Sequence, residues 1–341
     1  MSSQNKTAKM EAIDALIDEH RYVDAIALLT QLNADEPGSA NALQLLKCRN
    51  LYASALQAGS TSKPWPEHKV RPALTVPDIA NEQLNRETLA DGVLNHGYLL
   101  VRGLFGNADC SALRQHIDQA FDGFDAWEQD PGFANEAFTP CEFYPNANKA
   151  RDFGRQNQGI FAVDSPGSIN HFLHLLEDRD IASIVADYLE EPPVISANKC
   201  TLRRIKATDI DVTFWHQDGA FMGEGIRTLN LWVALSDCGV NAPGLDIIPQ
   251  RLNSLVTTGE DGVINWAVAD STVARDLADI TPLRPEFRAG AAIFFDHTSL
   301  HRTALDKSMT EQRYAIECWF LAPSTYPRKS PAIAVTTKPS A

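Results

Sequence analysis

Two residues of one short segment have types and spacing that suit a metal site. His216 and Asp218 flank Gln217 in the segment 214–219. On a strand, residues two apart face the same side, so an imidazole and a carboxylate would reach one point. That ligand pair suits a first-row metal such as iron. The pattern alone is weak, because nine histidines with ordinary aspartate usage give about one such match by chance.

A second segment supplies a third ligand of the same kind. An apolar run, Gly290–Phe295, leads into a stretch that contains His297 and His301. His301 would complete a set of two histidines and one carboxylate. That set leaves coordination positions open, as non-haem Fe(II) oxygenases require. His297 is the competing candidate for this third position.

An arginine opens a later strand pattern that is rich in apolar and aromatic residues. Arg313 stands at its start, before Tyr314, Ile316, Trp319 and Phe320. An unpaired buried charge is costly, so this side chain needs a partner. A dicarboxylate cosubstrate, held bidentately by the guanidinium, would supply one.

Together these motifs resemble the phytanoyl-CoA dioxygenase family. The resemblance rests on the strand-borne H-Q-D at 216–218, the L-H-R-T at 300–303, the following Arg313, and an opening segment at 96–105 between two predicted helices. It covers roughly residues 80 to 323. It implies an Fe(II)- and 2-oxoglutarate-dependent oxygenase with a double-stranded β-helix core. It also implies that His216, Asp218 and His301 bind iron, since the family's register favours His301 over His297.

The resemblance assigns further residues to the cosubstrate. Arg313 is expected to hold the distal carboxylate of 2-oxoglutarate, with Thr303 close to that carboxylate. Gln217 and Trp232 match positions that line the cosubstrate pocket. Asn230 stands two residues before Trp232, so the two share a strand face, and we expect that face to look into the cavity while the leucines and valine between and beside them form core.

The activity that the resemblance implies is hydroxylation of an unactivated C–H bond in a small molecule, with succinate and CO2 as coproducts and O2 consumed. Asp218 stands where related halogenases lack a carboxylate, which favours hydroxylation. The chain departs from the family's pattern at 242–251 and at 290–291, and the substrate stays open. Two alternatives remain. One is a catalytically silent binding or scaffold protein with a degenerate oxygenase fold, and the other is a cupin-type metalloenzyme that does not use 2-oxoglutarate.

The elements that must position these residues divide the chain into four parts. Residues 1–58 predict a helical module that resembles a single tetratricopeptide repeat, with a plain helical hairpin as the alternative. We expect it to dock on the rest of the protein, on a second subunit or on a protein partner. Residues 59–77 read as a Pro-rich linker, 78–326 as the oxygenase domain and 327–341 as a tail.

Within the oxygenase domain helices are predicted first and strands later, which indicates a β-barrel or sandwich core with a helical layer. The resemblance implies that this is an α+β fold with a double-stranded β-helix (jelly-roll or cupin-like) core and flanking helices. The predicted helices lie at 83–95, 108–121, 168–176 and 180–189. The segment 122–158 reads as irregular, typical of a lid or binding loop. The predicted strands lie at 98–101, 194–205, 213–216, 227–235, 245–248, 291–295 and 313–321.

Composition excludes several classes of protein. The 341 residues carry 30 Lys and Arg against 44 Asp and Glu, a net charge of -14, which argues against a nucleic-acid partner. No apolar run approaches the roughly 18 residues that span a bilayer, and residues 1–10 do not resemble a signal peptide. Six widely spaced cysteines suggest reduced thiols. We therefore expect a cytoplasmic protein.

Overall fold

The structure is a computed structural model that describes residues 3–61, 76–131, 136–210, 212–223, 225–259, 264–327 and 330–337, with side chains from residue 6 onward. Most of the linker predicted at 59–77 lies outside the described residues. Within the described ranges, no helix combines the length and the apolar character needed to cross a membrane.

Three helices form the N-terminal module: α1 (Ser3–Asp18), α2 (Tyr22–Asp35) and α3 (Ser39–Gly59). Residues at three- and four-residue spacing share one face of a helix, and these faces pack together into a small core. That core contains Ile13, Ala25, Ile26, Leu29, Leu32, Leu45 and Cys48. The helices lie where the sequence predicted them, and the likeness to a tetratricopeptide repeat stays a prediction.

Helices are frequent in the next part of the chain and strands in the last. The first group is β1 (Asp78–Ala80), α4 (Arg86–Ala90), β2 (Tyr98–Arg102), α5 (Asn107–Gln129), α6 (Asn148–Gln156), β3 (Gly159–Phe161), α7 (Pro166–Asp178) and α8 (Ile181–Leu189). The second group is β4 (Val194–Ser196), β5 (Thr201–Lys206), β6 (Trp215–His216), α9 (Gly219–Met222), β7 (Thr228–Ala234), β8 (Gly244–Ile247), β9 (Ala267–Val268), α10 (Asp270–Asp276), β10 (Ala292–Phe295), β11 (His301–Ala304), β12 (Gln312–Leu321) and β13 (Ala332–Ala334).

Two sheets form the core of the larger part. Within the described ranges, nine strands make one sheet along the path β1-β2-β10-β7-β12-β4-β13, with β5 pairing with β12 and β3 with β5. Four strands make the other, in the order β8-β11-β6-β9. Leu245 and Ile247 of the smaller sheet pack in one apolar cluster with Tyr98, Trp232 and Ile293 of the larger. The sheets therefore face each other, which confirms the predicted α+β fold with a jelly-roll core.

The two faces of the larger sheet differ in polarity, as the alternation along β7 predicted. Leu229, Leu231 and Val233 point to the outer face and pack in the cluster that includes residues of α5, α7 and α8. Asn230 and Trp232 point to the inner face, towards the smaller sheet. The helices thus shield one face, and the other is left to line the space between the sheets.

The N-terminal module docks on the rest of the chain through α3, which packs on α7 and β13. Arg49 donates to Glu177 through both terminal nitrogens, at 2.7 and 3.0 Å, and to the carbonyl oxygen of Ala334 at 3.1 Å. Asn50 donates to the carbonyl oxygen of Ala332 at 2.7 Å. Docking on the protein's own body was one of the expected outcomes. The strand β13 that receives the module lies in the segment predicted as a tail.

The prediction of an irregular segment at 122–158 was wrong for parts of it. Helix α5 continues to Gln129, because the buried rings of Phe121 and Phe124 extend its apolar face. Helix α6 occupies residues 148–156. The sequence pattern missed this helical continuation because the aromatic residues of the segment stand among residues that usually form loops.

The predicted strand at 194–205 is two strands separated by a tight turn. The backbone N–H groups of Lys199 and Cys200 donate to the carbonyl oxygen of Ser196, and these bonds replace strand pairing. Likewise the predicted helix at 83–95 comprises α4 and a π-helical turn, Asp91–His96. Both interruptions depend on local backbone hydrogen bonds, which the spacing of apolar residues does not predict.

Candidate metal centre

Two strands of the smaller sheet bring the three predicted ligands together. His216 ends β6, His301 begins β11, and the two residues are direct partners in the antiparallel register. Asp218 follows β6 at the start of α9. Its Oδ1 lies 3.9 Å from His216 Nε2 and 4.0 Å from His301 Nε2. The three ligand atoms all lie within 4.8 Å of one another, close enough to hold one metal ion.

Backbone carbonyls fix the orientation of both imidazoles. His216 Nδ1 lies 3.0 Å from the carbonyl oxygen of Phe214, and His301 Nδ1 lies 3.1 Å from that of Ser299. A carbonyl oxygen only accepts, so each Nδ1 carries the proton and each Nε2 keeps its lone pair. This is the arrangement of metal-binding histidines, in which the second nitrogen is held by a backbone or carboxylate acceptor.

Asp218 is held by one oxygen and left open at the other. Asn230 Nδ2 donates to Oδ2 at 3.0 Å. Among the described residues Oδ1 is buried without a hydrogen-bond partner. A buried carboxylate oxygen normally accepts a hydrogen bond. An unsatisfied Oδ1 beside two imidazole nitrogens therefore fits a cation as its partner.

The pKa shifts of the three residues fit a site that binds a cation. Burial raises the pKa of Asp218 to about 7 and lowers the pKa of His216 to about 4. Burial also lowers the pKa of His301. Each shift penalises the charged form of the group. A bound divalent cation would favour ionised Asp218 and neutral imidazoles, which are the forms that ligate.

One edge of the cluster is accessible. The side chain of His216 is 23% exposed, against 2% for Asp218 and 6% for His301. The ring of His216 lies 6.1 Å from that of Phe221 and 5.9 Å from that of Trp266, between ring centroids. A small molecule therefore reaches the cluster along the His216 edge, beside two aromatic rings.

Arg313 occupies the inner face at the start of β12 and is buried. Its Nη1 donates to the carbonyl oxygen of Gly244 at 3.1 Å, and its guanidinium carbon lies 5.4 Å from the ring centroid of Trp232. Its Nε is buried without a hydrogen-bond partner, and no carboxylate of the described residues is paired with it. Burial lowers the pKa of Arg313 to about 10, so the guanidinium stays charged at neutral pH. A buried charge of this kind is costly without an anionic partner.

The other predicted site residues divide between two surroundings. Thr303 is half-buried on β11, two residues after His301, opposite Leu245 of β8. Gly244, the acceptor of Arg313, pairs with the neighbouring Ala304. The register therefore places Thr303 near the residue that Arg313 contacts, and its role towards the cosubstrate stays a prediction.

Gln217 is placed differently from the expectation. Its Nε2 donates to the carbonyl oxygens of Ser254 and Thr298, at 3.1 and 2.6 Å, and its Oε1 accepts from Val256 N at 2.6 Å. The amide is thus bonded to the backbone of the segments around residues 254–256 and Thr298. The structure does not bring it to the cosubstrate side.

Sequence reasoning missed a second carboxylate near the cluster, which is half-buried. Glu317 lies on β12 and accepts from Arg203 and Thr201 at Oε2, both at 3.1 Å, and from Trp319 Nε1 at Oε1, at 3.1 Å. Burial acts to raise its pKa, but Arg203 and the two histidines outweigh burial and leave it below the usual value. The available signal was its spacing of four from Arg313, which puts both on one face of the strand.

The competing histidine packs beside the site instead of joining it. His297 is buried against Gly219, whose backbone N–H donates to its carbonyl oxygen at 2.8 Å. A Cβ at Gly219 would lie 2.7 Å from the Leu255 side chain and 3.0 Å from the His297 ring, so any larger residue there would have to displace these side chains. Among the described residues, His216, Asp218 and His301 form the one cluster with metal-ligand geometry.

A jelly-roll core that carries two histidines on neighbouring strands and one carboxylate just after the first of them has the ligand set of the non-haem facial-triad class. The pattern of the phytanoyl-CoA dioxygenase (PhyH) family matches residues 94–313, more than half of the chain. The chain therefore belongs to the phytanoyl-CoA dioxygenase family. This confirms the resemblance that the motifs predicted, and with it the general assignment to an oxygenase class.

Two solved structures are similar to the chain at low identity. The apoform of EctD from S. alaskensis is similar with a TM-score of 0.50 and 18% identity, over 81% of this chain and 92% of that chain. The non-heme alpha ketoglutarate dependent carbocyclase SnoK from nogalamycin biosynthesis is similar with a TM-score of 0.47 and 15% identity, over 71% of this chain and 85% of that chain. No curated protein matches the chain.

Proposed function

We propose that the protein is an Fe(II)- and 2-oxoglutarate-dependent dioxygenase that hydroxylates an unactivated C–H bond of a small molecule and releases succinate and CO2. The observation that carries this proposal is the convergence of His216 Nε2, His301 Nε2 and Asp218 Oδ1 within 4.8 Å, in a chain of this family. The two imidazoles are oriented by backbone and the carboxylate oxygen is unsatisfied, so the donor set fits the metal.

The chain's own residues prepare the metal site before any metal arrives. Asn230 holds Asp218 Oδ2 and directs Oδ1 at the two imidazole nitrogens. With three protein ligands, iron would keep open positions for 2-oxoglutarate and O2. Bound there, Fe(II) supplies the chemistry that couples oxidative decarboxylation of 2-oxoglutarate to oxidation of a C–H bond. Because Asp218 fills the carboxylate position, the proposal is hydroxylation and not halogenation.

Arg313 is proposed to hold the distal carboxylate of 2-oxoglutarate. Its guanidinium is buried, keeps an unbonded Nε and faces the space between the sheets, with Trp232 beside it. A charge-assisted pair formed in such a dry place is strong and orients the planar carboxylate. Thr303 is proposed to add a hydroxyl to the same end of the cosubstrate.

Turnover without any added substrate tests the proposal. Purified protein with Fe(II), ascorbate and 2-oxoglutarate in air should release succinate slowly. Mixing Fe(II) and 2-oxoglutarate with the protein under nitrogen should give a visible absorption band. If both signals are missing, the protein is not this oxygenase, and the silent scaffold becomes the better interpretation.

Substitution of the arginine tests the cosubstrate. Arg313→Met should raise the KM for 2-oxoglutarate about 30-fold or more, because a buried charge pair is worth 2 kcal/mol or more. The matched control is Arg284→Met, which removes an arginine that pairs with Asp246 at the partly exposed side of β8. Unchanged activity of Arg313→Met would instead support a cupin-type enzyme without 2-oxoglutarate.

A further inference from the structure

A cationic side chain lies near each end of the inner face of strand β12. Arg313, Glu317 and Trp319 all point inward, and Arg313 and Trp319 stand six residues apart, roughly 20 Å at the rise of a strand. Trp319 pairs in register with Asn230, which donates to Asp218, so the metal cluster lies towards the Trp319 end of this span. A cosubstrate held by Arg313 and the cluster would lie between them, which leaves the Trp319 end of the cavity free.

A lysine stands at that free end without an anionic partner. Lys199 lies in the turn between β4 and β5, half-buried, with its Nζ 4.5 Å from the ring centroid of Phe221 and 5.4 Å from that of Trp319. Among the described residues no carboxylate forms an ion pair with it. Burial lowers the pKa of Lys199, and the charges of Asp218 and Glu317 act against that shift. Both Glu317 oxygens and Asp218 Oδ2 are already bonded to other groups.

The rings that hold the lysine lead to the metal cluster. The Phe221 ring lies 5.2 Å from Trp266, and both rings lie beside the accessible edge of His216. Phe221 is 40% exposed, so this aromatic path is open to solvent. An ammonium group at one end and a metal site at the other would fix both ends of a bound molecule.

We propose that Lys199 binds a carboxylate of the substrate, whose apolar body lies along Phe221 and Trp266 and presents a C–H bond at the His216 edge of the cluster. This inference rests on the proposed oxygenase function. One free cation matches one negative charge, because the neighbouring Arg203 is committed to Glu317. A phosphate dianion would call for more than one unpaired cation. The substrate class is therefore a monocarboxylic acid with an apolar chain or ring.

The test measures binding separately from turnover. The probes are straight-chain carboxylates from butanoate to dodecanoate, each with its methyl ester and the alkyl phosphate of the same length. Binding is followed by the fluorescence of the tryptophans that line the path, in the metal-free protein and again with Fe(II) and 2-oxoglutarate under nitrogen. Succinate release in air is measured in parallel with each probe.

At one or more chain lengths the acid should bind about tenfold tighter than its ester, the range of one charge-assisted hydrogen bond. Lys199→Ala should abolish that preference, and Lys199→Arg should keep most of it. Lys206→Ala, which removes an exposed lysine of β5, is the matched control and should bind like the parent protein. Thermal melting of each variant confirms that it is folded.

Several results would overturn the inference. Equal binding of acid and ester, a preference that survives in Lys199→Ala, or no binding by any probe would each show that Lys199 is not a carboxylate site. Tighter binding of the phosphate would overturn the monocarboxylate class. Failure of the oxygenase proposal looks different: the acid preference and its loss in Lys199→Ala would persist, while succinate is absent under every condition.

Discussion

Two of the regions that contain buried charges treat them in opposite ways. Where the N-terminal module docks, each buried charge is paired with an opposite charge, although Arg49 Nε has no hydrogen-bond partner among the described residues. Glu177 accepts from both terminal nitrogens of Arg49 and, through Oε1, from the N–H and hydroxyl of Thr336. In the metal centre the charges are left incomplete. Asp218 Oδ1 has no hydrogen-bond partner among the described residues, and no carboxylate of those residues is paired with Arg313.

This difference distinguishes charged groups that stabilise the fold from charged groups that are available to bind ligands. Completing a buried pair removes the penalty of desolvation, and removing one partner restores it. A site whose polar atoms are unsatisfied gives up stability in the metal-free protein and regains it when a ligand binds. Changes in the two regions should therefore have opposite signatures: loss of folding at the interface and loss of activity at the centre.

The largest expected effect is on activity at the centre. His301→Gln should lower iron-dependent succinate release about 1000-fold or more, because a catalytic metal contributes several kcal/mol. The iron content of the variant should fall as well, while its free energy of unfolding without metal changes little. His174→Gln, at an exposed position of α7, is the control and should keep full activity. Iron-dependent turnover by His301→Gln would remove this residue from the site.

At the interface the expected effect is on folding. Glu177→Gln leaves Arg49, which is 1% exposed, without its anion and should lower the free energy of unfolding by about 3–5 kcal/mol. Glu36→Gln breaks an exposed pair with Lys6 and should change it by about 1 kcal/mol or less. Denaturant unfolding of the full chain measures both. Equal, small changes in the two variants would mean that the interface pair is not buried in solution.

The pH dependence of the stability of Asp218→Asn tests whether the metal centre gives up stability in the metal-free protein. The pKa of Asp218 is raised to about 7 in the folded chain, so the metal-free protein loses stability from this group as pH rises from about 4 to about 7, and no more above that. The asparagine variant avoids that loss. Its advantage over the parent should grow across this window to about 4 kcal/mol at most.

Thermal or denaturant unfolding in a chelating buffer at several pH values measures this advantage. Asp270→Asn, at a position whose side chain is 79% exposed, is the control and should show no such trend. With Fe(II) present the sign should reverse, because the parent protein gains metal binding that the variant has lost. An advantage that is independent of pH would show that Asp218 is not desolvated as the structure has it.

The metal cluster could be predicted from the sequence because strand geometry converts spacing into direction. Spacing of two predicted that His216 and Asp218 reach one point; the structure brings them together with His216 at the end of β6 and Asp218 at the start of α9. The period of two also separated Asn230 from its apolar neighbours. The order of helices and strands indicated a barrel or sandwich core, and the family resemblance specified the jelly roll. These features depend on local backbone periodicity, which a sequence records directly.

Contacts between distant segments could not be predicted in that way. Lys199 lies in a turn and meets Phe221 and Trp319 only through the packing of three separate elements. Strand β13 is short and pairs with β4 far away in the chain, so no pattern of its own identified it. The bonding of Gln217 was missed for the same reason, since its partners at 254–256 and Thr298 lie in other loops.

Gln217 gives the smallest predicted effect and the finest test of the comparison, because it stands between two residues of the centre yet is bonded like a residue of the interface. Gln217→Met keeps the length of the side chain and leaves buried backbone groups unsatisfied, so it should lower the free energy of unfolding by about 1–3 kcal/mol. The KM for 2-oxoglutarate should stay within about twofold, since the amide already has three backbone partners and is not aimed at the cosubstrate. Gln31→Met, on the exposed face of α2, is the control for the substitution itself. A raised KM with unchanged stability would restore the role that the family resemblance assigned to this residue and would place it with the ligand-binding groups.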